Sequence, residues 1–207
     1  MAMRQARTGK REQILDVAGS SIIEKGFSAT SIEEIITEVG ITKGGFFYHF
    51  PDKNELAKAL LRRYIDNEDQ MFDDIEKRAY ELNDDPLHGF LISLKLLAEL
   101  LDDLPNGHPG CLVAVYCYQS QMFSSEVCRI NANGVLAWRR RFQNRLEKIA
   151  EKYPLKRDVD LVDVADMLTS VVEGGIILSR VLNDNSKLPD QVMLYREFVR
   201  SLFLSGD

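Results

Sequence analysis

The chain has 207 residues but only three cysteines, three histidines and one tryptophan. Cys111, Cys117 and Cys128 cannot all pair with one another, and no C-x-x-C spacing offers a zinc site. Reduced thiols are therefore expected, as in a cytoplasmic protein. His49, His88 and His108 lie far apart in sequence and suggest no metal cluster. There is no P-loop, no dinucleotide glycine motif and no nucleophile–base constellation, so neither cofactor nor enzymatic chemistry is expected. A long hydrophobic run is missing too. The most apolar stretch, about Met167 to Leu182, contains Glu173 and Arg180 and is too short and too charged to span a membrane. The polar, basic start has no apolar core for a signal peptide. No alternating strand pattern, internal repeat or low-complexity tract stands out.

What is present is helical periodicity interrupted by short breakers, which reads as an all-α chain. Apolar residues make up 45% and charged residues 28%, enough for a buried core without staples. Net charge is −6, yet it is unevenly spread. Residues 1–65 carry ten Lys/Arg against eight Asp/Glu, whereas residues 66–207 carry 16 against 24. Arg4, Arg7, Lys10 and Arg11 make the first eleven residues strongly basic. A phosphate-binding end on an acidic body fits this asymmetry, as does a merely solvated tail.

A first helix is expected over about 10–25, ended by Gly26. Thr30 then reads as the N-cap of a second helix, with Glu33 at the capping-box position and Ile32, Ile35, Ile36 and Val39 as its buried stripe. Gly40 and Ile41 make a tight turn. Thr42 caps a short third helix through His49, and Pro51 stops it. Asp52 caps a fourth, with Glu55 at its box position. Longer helices are expected near 53–80, 87–104, 109–122, 124–152, 158–182 and 188–204.

Two short helices joined by a glycine turn form a helix-turn-helix, whose second helix can enter a DNA major groove. Seven residues give a helix of roughly 10 Å, comparable to a groove about 12 Å wide. Lys43 offers charge, Gly44 and Gly45 allow close backbone approach, and Tyr48 and His49 supply polar tips. Lys53 sits beside free N–H groups of the next helix. Thr30 and Thr42 can bond a phosphate as well as cap, Phe47 can touch sugar or a thymine methyl, and Phe46 and Phe50 anchor the helix from inside.

The run from Gly26 to Ile35 (GFSATSIEEI) and that from Gly40 to Leu56 (GITKGGFFYHFPDKNEL) resemble the TetR (tetracycline repressor) family of regulators. The resemblance covers about residues 11–60. It implies a three-helix DNA-binding domain with a basic N-terminal arm, residues 1–55, and a helical ligand-binding and dimerisation domain, residues 56–207. By it, Thr30 and Thr42 touch phosphate at helix starts. Lys43, Gly45 and Tyr48 face bases or backbone, and His49 and Lys53 bind phosphate. Family members often carry a polar residue at Gly45 and a tyrosine at Phe47, so two possible hydrogen bonds are missing here.

The helix near 158–182 is apolar almost all round and must be covered on several sides. The resemblance implies that it and the helix near 188–204 pair with their copies in a homodimer; the alternative is that they complete the monomer's core. It also implies a pocket for a small, largely apolar effector, for which the sequence offers Met71, Leu97, Cys111, Val115, Tyr116, Tyr118, Met122, Phe123, Trp138, Phe142 and Met167. Glu173 needs a partner in its apolar stretch: an arginine, or a ligand amine or hydroxyl. Gly110-Cys111-Leu112 resembles a branch of the family that senses electrophiles or oxidants at this position, the alternative being an inert buried thiol. The expected function is repression of transcription on a roughly palindromic double-stranded operator, relieved by the effector or, alternatively, by chemistry at Cys111.

Overall fold

The computed structural model describes residues 9–204. The basic arm residues Arg4 and Arg7 lie outside them. The described residues are helical throughout: α1 (Lys10–Lys25), α2 (Ile32–Val39), α3 (Lys43–His49), α4 (Lys53–Leu82), α5 (Pro86–Asp102), α6 (Leu112–Tyr118), α7 (Ser125–Lys152), α8 (Leu161–Leu182) and α9 (Lys187–Phe203), with a 3₁₀ turn at Ser120–Met122 between α6 and α7. None of these helices is long and apolar enough to cross a membrane.

Compactness divides the chain elsewhere than at 55/56. One unit holds the residues up to Asp66 together with Gly110–Ala132; the other holds Asn67–Pro109 together with the residues from Asn133 onward. Two of the three cuts fall inside helices, α4 and α7, and the third lies between α5 and α6.

In the first unit Ile14, Leu15, Ala18 and Ile22 of α1 are buried with Ile35 of α2, Phe46 of α3 and Leu56, Leu60 and Leu61 of α4. Gly40 ends α2 in the left-handed region at φ 68°, which costs glycine nothing. The Ile41 amide then donates back to the Ile36 carbonyl at 3.0 Å, closing the helix end. Segment 110–132 is drawn onto this bundle by tertiary contacts. Tyr116 donates its hydroxyl to the Ala57 carbonyl at 3.0 Å, and its ring stacks on Phe123 with centroids 4.2 Å apart. The Gln119 side chain accepts the Phe27 amide at 2.8 Å.

In the second unit α9 packs against both α5 and α8. Gly175 permits the α8–α9 approach, because a Cβ there would stand 3.0 Å from the Leu188 backbone. Tyr195 donates to the Val164 carbonyl at 2.9 Å, and Arg196 to that of Leu91 at 3.0 Å. Both of these donors thus meet a carbonyl on a neighbouring helix. Asp85 caps α5 by accepting from the Leu87 and His88 amides, and it also receives Lys152 and Tyr153 of the α7 end.

Candidate nucleic-acid interface and effector site

Helix α3 is held by its ends and by one inner face. Thr42 is its N-cap, with Oγ1 accepting the Gly45 amide at 3.1 Å. Phe46 is fully buried, and Phe50 nearly so, their ring centroids 6.0 Å apart. The Arg11 guanidinium lies over Phe50 at 5.2 Å. Everything else on α3 faces outward. Lys43, Gly44, Phe47 and Tyr48 are exposed, Tyr48 to 85%, while Gly45 and His49 are partly so. The Tyr48 and His49 rings meet edge to face at 5.1 Å. Lys43 reaches Glu33 of α2 at 2.9 Å across solvent; this exposed pair screens easily and leaves the ammonium available. Phosphate at that point would compete with one surface carboxylate.

Thr30 departs from expectation. The N-cap of α2 is Ser31, whose hydroxyl accepts the Glu34 amide at 3.1 Å. Thr30 is fully buried, its hydroxyl donating to the Gly26 carbonyl at 3.0 Å and lying 3.1 Å from Ser21 Oγ. It ties α2 to α1 and offers no hydroxyl to a phosphate. Lys53 is also engaged. Its ammonium donates to the Phe27 carbonyl and lies 4.2 Å from that ring centre, and burial lowers its pKa. Beside His49 runs a surface groove of about 400 Å³. Its cations are largely spoken for: Arg63 by Glu12 and Asp16, and Lys58 by Glu55 and Glu126.

The residues expected to line an effector pocket are divided between the two compact units. Cys111, Val115, Tyr116, Tyr118 and Met122 belong to the first unit; Met71, Leu97, Trp138, Phe142, Met167 and Glu173 belong to the second. Tyr118 is 77% exposed, and Met122 and Met167 are exposed as well, so these three are surface residues here. Tyr116 is occupied structurally by Ala57 and Phe123. Cys111 is buried at the N-cap of α6 and caps it with no side-chain hydrogen bond. In the second unit Leu97 and Phe142 line a cavity of about 10 Å³ with Phe72, Phe90, Leu94 and Leu168. That is room for about one water.

Two features escaped the sequence reading. Gln119 is the first: its side chain fills the space where a Cβ on Gly26 would stand and binds the next amide, which spacing alone does not reveal. The second is Glu68. It reads as an ordinary outward residue of α4, yet burial first, then Asp69 and Glu173, push its carboxyl up to about 7.

A helix-turn-helix whose short second helix is pinned from inside and bare outside is the arrangement of a DNA-binding domain. Residues 14–60 match the family described as bacterial regulatory proteins, tetR family. The transcriptional repressor KstR2 of Rhodococcus jostii is 31% identical over 61 residues, 30% of each chain. The repressor DhaR of a Mycobacterium species is 22% identical over 191 residues, 88% of each chain. The match to KstR2 therefore spans less than a third of either protein. A TetR-family regulator from Agrobacterium tumefaciens superposes with a TM-score of 0.78 at 20% identity, covering 94% of this chain and 98% of that one. Reduced NemR of Escherichia coli gives 0.74 at 16%, covering 95% and 99%. Residues 14–60 thus resemble the DNA-binding part of tetR-family regulators, and the chain as a whole shares the fold of these solved structures.

Proposed function

We propose that the chain is a homodimeric repressor that holds a roughly palindromic DNA operator through two copies of α3 and releases it when a small, largely apolar effector binds the helical body. The observation that carries this reading is the outer face of α3, where Lys43, Gly44, Phe47 and Tyr48 stand exposed on a helix anchored by Phe46 and Phe50. Thr42 and His49 flank that face and would position it on phosphate, with Lys53 contributing through its remaining donors. Residues 1–55 would then act as the DNA-binding part and 56–207 as the effector and dimer part, a functional division distinct from the two compact units.

Dimerisation is supported by apolar side chains left open on α8 and α9. Ile177, Leu178, Val181, Leu182 and Leu194 are all exposed, a concentration that soluble surfaces rarely leave uncovered. Release follows if the effector favours a state in which the two recognition helices no longer match successive major grooves, about 34–36 Å apart. Thiol sensing at Cys111 has less support, because the thiol is buried.

Selection of bound duplexes from a random pool tests the regulator reading. A selected palindrome with half-sites about one helical turn apart is the expected result. No sequence preference at low ionic strength, in protein freed of small molecules, would sink it.

A further inference from the structure

We propose that Glu68, Glu173 and Trp138 form the head-group end of the effector site, and that the effector is an organic amine: a protonated nitrogen on an apolar body, with an acceptor oxygen close to the charge. The proposal names the chemistry of the effector and so rests on the effector-responsive reading above.

The first observation is electrostatic. Glu68 of α4 is partly buried, and the charged groups that act on it among the described residues, Asp69 and Glu173, are both acidic. Asp69 has a cation of its own, Arg141 at 3.6 Å, which also holds Asp73 at 2.7 Å and Glu76 at 3.4 Å. The ion pairs that knit α4 to α7 fall on either side of Glu68, at Lys58 and Arg62 before it and from Asp69 onward after it, and none of them includes Glu68. Glu68 is thus desolvated with a second glutamate from another helix acting on it and no cation among the groups that do, an arrangement that costs stability and that a bound cation would relieve.

The second observation is independent. Trp138 of α7 is only 7% exposed, and its indole Nε1 has no hydrogen-bond partner. A buried N–H left unpaired is uncommon and calls for an acceptor. Its position follows from helix register. Glu76 reaches both Arg141 and Arg145, so later residues of α4 meet later residues of α7 and the two helices run parallel here. Phe72 and Phe142 face each other edge to face, with centroids 5.3 Å apart. One helical turn before each stand Glu68 and Trp138, which therefore occupy the same level on facing sides. The unpaired donor and the uncompensated carboxylate belong to one locus, with an aromatic surface suited to a cation.

Past this locus the space is closed. The cavity of about 10 Å³ lined by Phe72, Phe142, Leu97 and Leu168 cannot take the ligand's body without those side chains moving. An amine would therefore bind a rearranged unit better than the closed one, and that difference in affinity is what a switch requires.

Trp138 is the chain's one tryptophan, so its emission reports this locus directly. The full-length protein is titrated with a cyclohexyl-bearing amino ether and, in parallel, with its uncharged N-acetyl analogue. The expected result is a saturable change in Trp138 emission with the amine and at least tenfold weaker binding of the analogue. Glu68→Gln should weaken the amine at least tenfold and leave the analogue unchanged, with helicity by circular dichroism equal to the parent's. Should that variant fail to fold, Glu173→Gln carries the same expectation. No saturable change, equal binding of amine and analogue, or equal amine binding by the parent and the variants overturns the proposal. Operator binding without amine, measured on the same preparations, tests the regulator reading by itself: its absence would remove that reading while leaving the emission titration interpretable.

Discussion

Single side chains set the terms at both proposed sites. Thr42 contributes one hydrogen bond, to the Gly45 amide, but it is the bond that starts α3. Thr42→Ala should cost about 1 kcal/mol of stability, read as a lower denaturant midpoint at unchanged slope, and should weaken operator binding further through the lost hydroxyl. Tyr48 is the contrasting case. Being 85% exposed, it supports nothing in the fold, so Tyr48→Ala should leave the melting temperature unchanged and reduce operator affinity roughly tenfold, the scale of one specific base contact. Glu68 supplies a pH signature. Its carboxyl rises from an ordinary value of 4.5 to about 7 in the fold, so the folded chain holds this proton more tightly than the unfolded one. Its contribution is therefore favourable at low pH and is lost as pH climbs from about 4.5 through about 7, by at most on the order of 3 kcal/mol. Glu68→Gln should unfold at a higher temperature than the parent near pH 8, and the two should converge near pH 4, as followed by thermal melts across that range. Parallel melting curves at every pH would show that the carboxylate is not strained.

At the scale of elements, α3 trades stability for access. Gly44 and Gly45 each weaken a helix by about 0.8–1 kcal/mol relative to alanine, yet neither position is sterically forced. A Cβ on Gly45 would meet Thr42 Oγ1 at 3.5 Å, an ordinary contact, and one on Gly44 would meet nothing nearer than 3.9 Å. Gly44→Ala and Gly45→Ala should therefore stiffen α3, raising its hydrogen-exchange protection, while lowering operator affinity because the backbone can no longer come as close to the duplex. An alanine variant that binds DNA as well as the parent would show that the glycines are not there for close approach. The same element shows how far sequence reasoning carries. Helix α1, the Gly40 turn, the Thr42 cap and the inward Phe46 and Phe50 are local patterns, and each stands where periodicity and capping place it. Thr30 and Ser31 are both good caps by type. Only the nearness of Gly26 and Ser21, a tertiary fact, takes the Thr30 hydroxyl inward and leaves Ser31 to cap. Helix α6 was expected over about 109–122 but spans Leu112–Tyr118. Its start is set by Gly110 at φ 125°, and just past its end Gln119 is bound to Phe27, 92 residues away in sequence. The raised pKa of Glu68 was illegible for the same reason, since its largest cause, burial, and the charge of Glu173 on another helix are both tertiary facts.

Across the whole molecule, the acidic body and the bare face of α3 would make the proposed DNA binding dependent on two copies. One seven-residue helix with a few exposed contacts offers little affinity, and a second copy held at fixed spacing turns its binding into an intramolecular step. The open apolar side chains of α8 and α9 are where that spacing would be fixed. Val181 is the most direct probe. It is 76% exposed in the isolated chain, so Val181→Glu should leave helicity and the monomer's core intact. In a two-fold interface each substitution enters twice, placing two carboxylates in a surface that must lose water, a cost that a modest apolar interface cannot absorb. Sedimentation should then show a monomer, and affinity for a full palindrome should fall toward that for a single half-site. The dependence of binding on salt should fall with it, because one copy displaces about half the counterions of two. If Val181→Glu stays dimeric and keeps the parent's salt slope, the pairing surface lies elsewhere and the apolar faces of α8 and α9 need a different occupant.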